Sequence, residues 1–242
     1  MKKIIELIKN NFLNVVILIL FIILTVNFSN YHEHWSDEAQ SWLIARDNSI
    51  IEIIKYTKYE GTPCLWFLIL KVFINIGLTY DYFYVVPIIF TSIGLYLLLF
   101  KIKLPWYIKI LFPFSYFIFF QTTIICRSYC LVLPSIALIY LFYQKRFEKT
   151  FRFFIALIFF MNISLHTYLV AGSIFLIYLY DFYKRNKSLK RSEKNKNIVC
   201  TIITFLWFLA ILILLFPKND IGFRWKWWAF FIIHFWRSKY FV

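Results

Sequence analysis

The chain has 242 residues, 62% of them hydrophobic and only 5 of them glycine, with a mean hydropathy of +0.70. A soluble domain averages about 45–50% apolar residues, so a fold that hides this much apolar surface from water by its own core is excluded. The formal net charge of +15 lies in clusters between apolar blocks, as the bias of Lys and Arg toward the cytoplasmic side requires, and with no soluble reading domain left over a nucleic-acid partner is excluded too.

From the N-terminus, Lys2, Lys3 and Lys9 precede a first apolar block at 12–28. No small-residue cleavage site follows it and more apolar blocks do, so it reads as an uncleaved span with a cytoplasmic N-terminus. A polar loop over 29–62 then lies outside the cytoplasmic membrane. Further apolar blocks come at 64–79, 82–100, 107–125, 129–143, 153–168, 166–181 and 198–216, about eight with the first, and the 153–168 and 166–181 blocks turn back near His166. Most of these are long enough to cross a bilayer core. The expected fold is all-α and polytopic, with a transmembrane module over 1–216 and an aromatic, basic segment over 217–242 whose Trp225, Trp227 and Trp228 suit the membrane interface.

Lys145, Arg146, Lys149 and Arg152, and the run from Lys184 to Lys196 that includes Lys187, are expected inside. That places Arg127–Ser128–Tyr129 and His166–Thr167–Tyr168 outside, with the polar loop. Three apolar blocks separate Pro63 from Arg127, one too many for an even number of crossings. Either 64–79 dips without crossing or one block is a broken pair. Cys64, Cys126, Cys130 and Cys200 show no paired metal-ligand spacing and no disulfide framework.

Six of the chain's 12 acids, Glu33, Asp37, Glu38, Asp47, Glu52 and Glu60, fall in the outward loop. Ser36 reads as an N-cap with Asp37 and Glu38 in the first turn, where their charges complement the helix dipole. Ala39, Trp42 and Leu43 give that helix an apolar face. Asp47–Asn48–Ser49 ends it, and Ser49 with Glu52 forms a capping box for a second helix carrying Ile50, Ile53 and Ile54 on one side. Gly61 and Pro63 stop that helix at Glu60. Both short helices are expected to lie on the membrane surface. Asp37 and Glu60 at their outer ends can face a common cleft, where a carboxylate serves as general base or holds a divalent cation against a phosphate. His32 and His34 flank Glu33 as H-x-H, a spacing open to metal that reads first as a flexible start to the loop.

The series Ser36-Asp37-Glu38-Ala39-Gln40-Ser41-Trp42, Ala45-Arg46-Asp47 and Glu60-Gly61-Thr62-Pro63-Cys64-Leu65-Trp66 resembles the first outward loop of the GT-C superfamily of membrane glycosyltransferases, among them protein O-mannosyltransferases and aminoarabinose transferases. Arg127-Ser128-Tyr129 is similar to an Arg-x-Tyr element of that superfamily, and His166-Thr167-Tyr168 to a His-Tyr-Tyr element. Cys64 stands where many members have the second Pro of a Pro-Pro run, and Thr62 where many have Pro or His. The resemblance implies an inverting enzyme that moves a sugar from a polyprenyl-phosphate-linked donor to a glycan, lipid or protein acceptor outside the membrane. It implies Asp37 as the catalytic carboxylate, and Glu38, Glu60, Arg127, Tyr129 and His166 as substrate- or metal-binding candidates. A divalent cation on Asp37 and Glu60 is the one cofactor it admits.

Arg127, costly in an apolar block unless paired, suits a donor phosphate through bidentate contacts; snorkelling to the interface is its plainer role. His166 reads equally as an interhelical polar contact. Members of the superfamily usually carry further spans and often a soluble outer domain, which leaves a truncated continuation or an inactive fragment as a second reading. A flippase or transporter of lipid-linked glycans is a third, disfavoured by the lack of acids inside the apolar blocks.

Overall fold

The computed structural model describes residues 11–60, 62–185 and 189–216, among which every regular element is helical. Lys2, Lys3, Lys9, Gly61, Lys187 and the 217–242 segment lie outside the described residues. In chain order the helices are α1 Phe12–Ser29, α2 Ser36–Asp47, α3 Ile50–Glu60, α4 Leu65–Asn75, α5 Val85–Lys101, α6 Trp106–Leu111, α7 Val132–Tyr143, α8 Thr150–Met161, α9 Leu165–Arg185 and α10 Arg191–Leu215. A 3₁₀ turn at Tyr80–Tyr82 leads into α5, a π-helical stretch occupies Phe117–Ile124, and a 3₁₀ turn at Ser128–Leu131 opens α7.

Among the described residues, four segments are long and apolar enough to cross a membrane: α1, Tyr80–Lys101, α9 and α10. A fifth is the broken pair Phe117–Ile124 and Ser128–Tyr143, bent by 119°. Of the about eight apolar blocks, then, four or five are of crossing length among the described residues, and the reasons are local. The 64–79 block stops at Asn75 because Gly77 takes φ +106. Its N–H reaches the Ile74 carbonyl at 2.9 Å and the Leu78 N–H reaches Phe73 at 3.0 Å, the paired bonds of a Schellman stop. The remaining 11 residues rise only about 16 Å, against a hydrocarbon core of about 30 Å. The 107–125 block breaks after α6 and resumes as the π stretch, within which the hydroxyls of Thr122 and Thr123 both bond the Ile118 carbonyl, at 2.8 and 2.7 Å. Hydroxyls competing for a helix carbonyl favour a local departure from α geometry.

The 153–168 block ends early as well. Met161 closes α8, and Ser164 starts α9 by exchanging bonds with Thr167, so the reversal precedes His166. Ser36 is likewise a helical residue and not a cap. The cap is Trp35, because Glu38 reaches back to accept its backbone N–H at 2.7 Å. Ser49 and Glu52 do form the expected box, with Glu52 Oε2 accepting the Ser49 N–H and hydroxyl, both at 2.7 Å.

The Tyr80–Lys101 span is the centre of the bundle, with half of its apolar window buried, whereas α10 buries 11% and shows the rest outward. α5 packs on α1 and α7, and α8 packs on α7, α9 and α10. The larger core gathers Trp42, Trp66, Phe83, Phe153, Phe160 and Tyr178, and a second gathers Phe21, Leu95, Leu99 and Leu133 around α1 and α5. α2 lies on α4, and Lys71 of α4 donates its ammonium to the carbonyls of Ala45 and Asn48, at 3.2 and 2.7 Å. These are orphan carbonyls at a helix end, so the lysine ties the end of α2 to α4. The acidic loop is thereby tied to α4 through α2.

Candidate functional site

Residues 32–35 run extended between α1 and α2, so alternate side chains share a face. His32 and His34 turn inward and Glu33 is exposed. The next two acids part company because successive helical residues lie about 100° apart: Asp37 sits at the rim and Glu38 has no exposed surface.

Glu38 is held from four sides. Trp35 N–H donates to Oε2 at 2.7 Å and Cys126 N–H donates to Oε1 at 2.5 Å. His32 Nε2 lies 3.0 Å from Oε2, and His34 Nδ1 lies 3.8 Å from Oε1. Burial pushes the carboxyl up, but the contacts from His34, Trp35, Cys126 and His32 together outweigh it and bring its pKa down to about 2. Glu38 is therefore a buried anion. It also satisfies an amide at the bend between the two halves of the broken span, where no helical carbonyl is in position to do so. Irregular backbone buried in this way persists only where protein supplies the partner.

The bend that gives Cys126 to Glu38 gives Arg127 to Asp37. Arg127 Nη1 meets Asp37 Oδ2 at 2.8 Å, with 38% and 43% of the two side chains exposed. The guanidinium also lies 5.3 Å from the centre of the Tyr129 ring, a cation–π contact. One turn along α2, Gln40 donates to Glu60 Oε1 at 2.6 Å, joining the outer ends of α2 and α3. Burial pushes the Glu60 carboxyl above its ordinary value, opposed by the Gln40 hydrogen bond and the charge of Arg127.

Asp37, Glu38, Glu60, Arg127 and Tyr129 thus share one end of the bundle, bound by direct contacts or by Arg127's field. His166 does not join them: it is exposed in the first turn of α9 and makes no hydrogen bond or ion pair with the described residues. A cation shared by Asp37 and Glu60 does not fit these donors well, since Asp37 already faces a guanidinium and Glu60 an amide. The group of three ligand-bearing side chains among the described residues is instead His32, His34 and Glu38. The signal in the sequence was H-x-H with a Glu four residues on, and only burial distinguishes it from a charged loop. No protein-family model, curated protein or solved structure matches the chain.

Proposed function

We propose that the protein transfers a sugar from a polyprenyl-phosphate-type donor to an acceptor hydroxyl at the end of the bundle that carries the acidic loop. The observation that carries this reading is the half-exposed contact between Asp37 and Arg127, which sets a carboxylate beside a guanidinium at the bend of a broken apolar span.

The donor phosphate takes the place of Asp37 at Arg127, whose planar fork binds two phosphate oxygens at once. Asp37, released from the pair, accepts the acceptor's hydroxyl proton as that oxygen bonds to the anomeric carbon. The bond from that carbon to the phosphate oxygen breaks, and its electron pair stays on the phosphate held by Arg127. A single displacement of this kind inverts the anomeric centre. An Asp is a weak base, so the proton moves late, once the acceptor oxygen has gained positive charge. Glu60, fixed by Gln40, accepts hydrogen bonds from sugar hydroxyls. An apolar cavity of about 380 Å³ between α5, the π stretch and α7, lined by Leu98, Phe117, Thr122, Leu133 and Ile136, offers room for part of an isoprenoid chain.

Asp37→Asn keeps the size of the side chain and removes its charge. In membrane-reconstituted protein supplied with polyprenyl-phosphate sugars it is expected to lower transfer by about 10²–10⁴-fold, while donor binding persists. Arg127→Ala is expected to weaken donor binding. Full transfer by Asp37→Asn sinks the assignment.

A further inference from the structure

We propose that His32 Nε2, His34 Nδ1 and the Glu38 carboxylate form a binding site for one transition-metal dication of the zinc type. The ligand atoms of the three side chains all lie within 4.8 Å of one another, with His32 Nε2 3.0 Å from Glu38 Oε2 and His34 Nδ1 3.8 Å from Glu38 Oε1. A tetrahedral ion about 2.0–2.2 Å from each ligand spaces its ligands by roughly 3.3–3.5 Å, so these two pairs adjust by a few tenths of an ångström, and a pair as wide as 4.8 Å closes by about 1.3 Å through rotation of the imidazoles.

The hydrogen bonding leaves the right positions open. A carboxylate has about four lone-pair directions. Here the Trp35 amide takes one on Oε2 and the Cys126 amide one on Oε1, and a histidine nitrogen stands beside each oxygen, His32 Nε2 at 3.0 Å from Oε2 and His34 Nδ1 at 3.8 Å from Oε1. Those amides also orient the carboxylate, as outer partners do in metal sites. A second observation concerns the histidine: His34 Nδ1 is buried and has no hydrogen-bond partner, the Glu38 carboxylate at 3.8 Å standing beyond hydrogen-bond reach. Leaving a buried polar atom unsatisfied costs on the order of 1–3 kcal/mol, which a metal ligand avoids.

The donor set also selects the ion. Two imidazoles with one carboxylate suit zinc and its neighbours, whereas calcium and magnesium call for six or more oxygens or retained waters. The walls are aromatic: His34 lies 4.9 Å from the Tyr80 ring and 5.5 Å from Phe83, and His32 lies 6.1 Å from Trp35 and 6.2 Å from Phe120, measured between centroids. They leave little polar surface for a hydrated ion. Because Glu38 grips the bend at Cys126, the ion pins the outward loop to the broken span, and it does so whether or not the protein transfers sugars.

The test uses the tag-free full chain in lipid nanodiscs, stripped with a chelator and titrated with Zn²⁺ against a fluorescent zinc indicator, with Mg²⁺ and Ca²⁺ in parallel arms. One Zn²⁺ per chain is expected, undisplaced by millimolar Mg²⁺ or Ca²⁺, together with a rise in thermal midpoint. His32→Ala and His34→Ala are expected to weaken binding by about 100-fold or more and to abolish the midpoint rise. His34→Gln, which keeps a polar side chain of similar reach, serves if an alanine variant fails to fold. Asp37→Asn is expected to bind zinc as the parent does, so failure of the catalytic reading leaves this result standing. Binding well below one ion per chain, or equal affinity in the folded histidine variants, overturns the site and leaves His32 as a hydrogen-bond partner of Glu38.

Discussion

Two neighbouring acids in one helical turn have different physical tasks. The Asp37–Arg127 pair is half open to solvent, and pairs of that kind contribute about 0–1 kcal/mol to stability. Its removal therefore tests chemistry with little disturbance to the fold. Glu38 is the opposite case, a fully buried carboxylate on which two backbone amides depend. Glu38→Gln keeps the shape but turns one oxygen into a donor that faces an amide N–H, and a loss of about 3 kcal/mol is expected. The pH dependence has a defined sign. Burial raises the Glu38 carboxyl and its hydrogen bonds lower it further, from an ordinary value of 4.5 to about 2. A carboxylate depressed by folding contributes stability that is complete above the ordinary value and is lost as pH falls toward the depressed one. In chelator-treated protein the gap in thermal midpoint between parent and Glu38→Gln is expected to be widest above about pH 5 and to shrink as pH falls from 4.5 toward 2; a constant gap would show that the charge is not what stabilises.

At the scale of elements, the Ser49–Glu52 cap was legible in the sequence, the cap of α2 lay one residue before the expected Ser36, and the ends set by packing were not legible. Ser49 and Glu52 act within one turn, so local spacing alone specifies them. The end of α2 depends on Lys71, which comes from another helix. Close approach of helices has a similar dependence on distant residues. Gly94 in α5 faces α7 so closely that a Cβ would stand 2.7 Å from Pro134 N and 2.8 Å from Leu133 Cγ. Alanine is the better helix former by about 1 kcal/mol, yet backbone cannot give way as a flexible side chain can. Gly94→Ala is expected to destabilise by about 1–3 kcal/mol, read as a lower thermal midpoint in detergent. A raised midpoint would mean that α5 and α7 are not in contact there.

Across the whole molecule, charge separates the two ends of the bundle. Asp37, Glu38 and Glu60 gather at one end around the bend. Lys145, Arg146, Lys149, Arg152, Lys184 and Arg185 gather at the other, where Arg146 pairs with Asp181 and joins the α7–α8 connection to α9. Positive-inside bias then gives a sidedness that labelling checks. With Cys64 and Cys200 changed to Ser, Glu33→Cys is expected to react with a membrane-impermeant maleimide on intact cells. Lys145→Cys is expected to react only after permeabilisation, and labelling of both from outside refutes the orientation. The sequence by itself determined the helical, membrane-spanning character, the placing of half the acids in one loop, and the Ser49–Glu52 cap, because each depends on composition or on residues within a turn of one another. Tertiary structure alone decided which acid is buried and which pairs with Arg127, that His166 stands apart, and that two histidines close on Glu38. Those outcomes hang on the bend at 125–127 and on the rotation of the first turn of α2, and neither leaves a periodic trace in the chain.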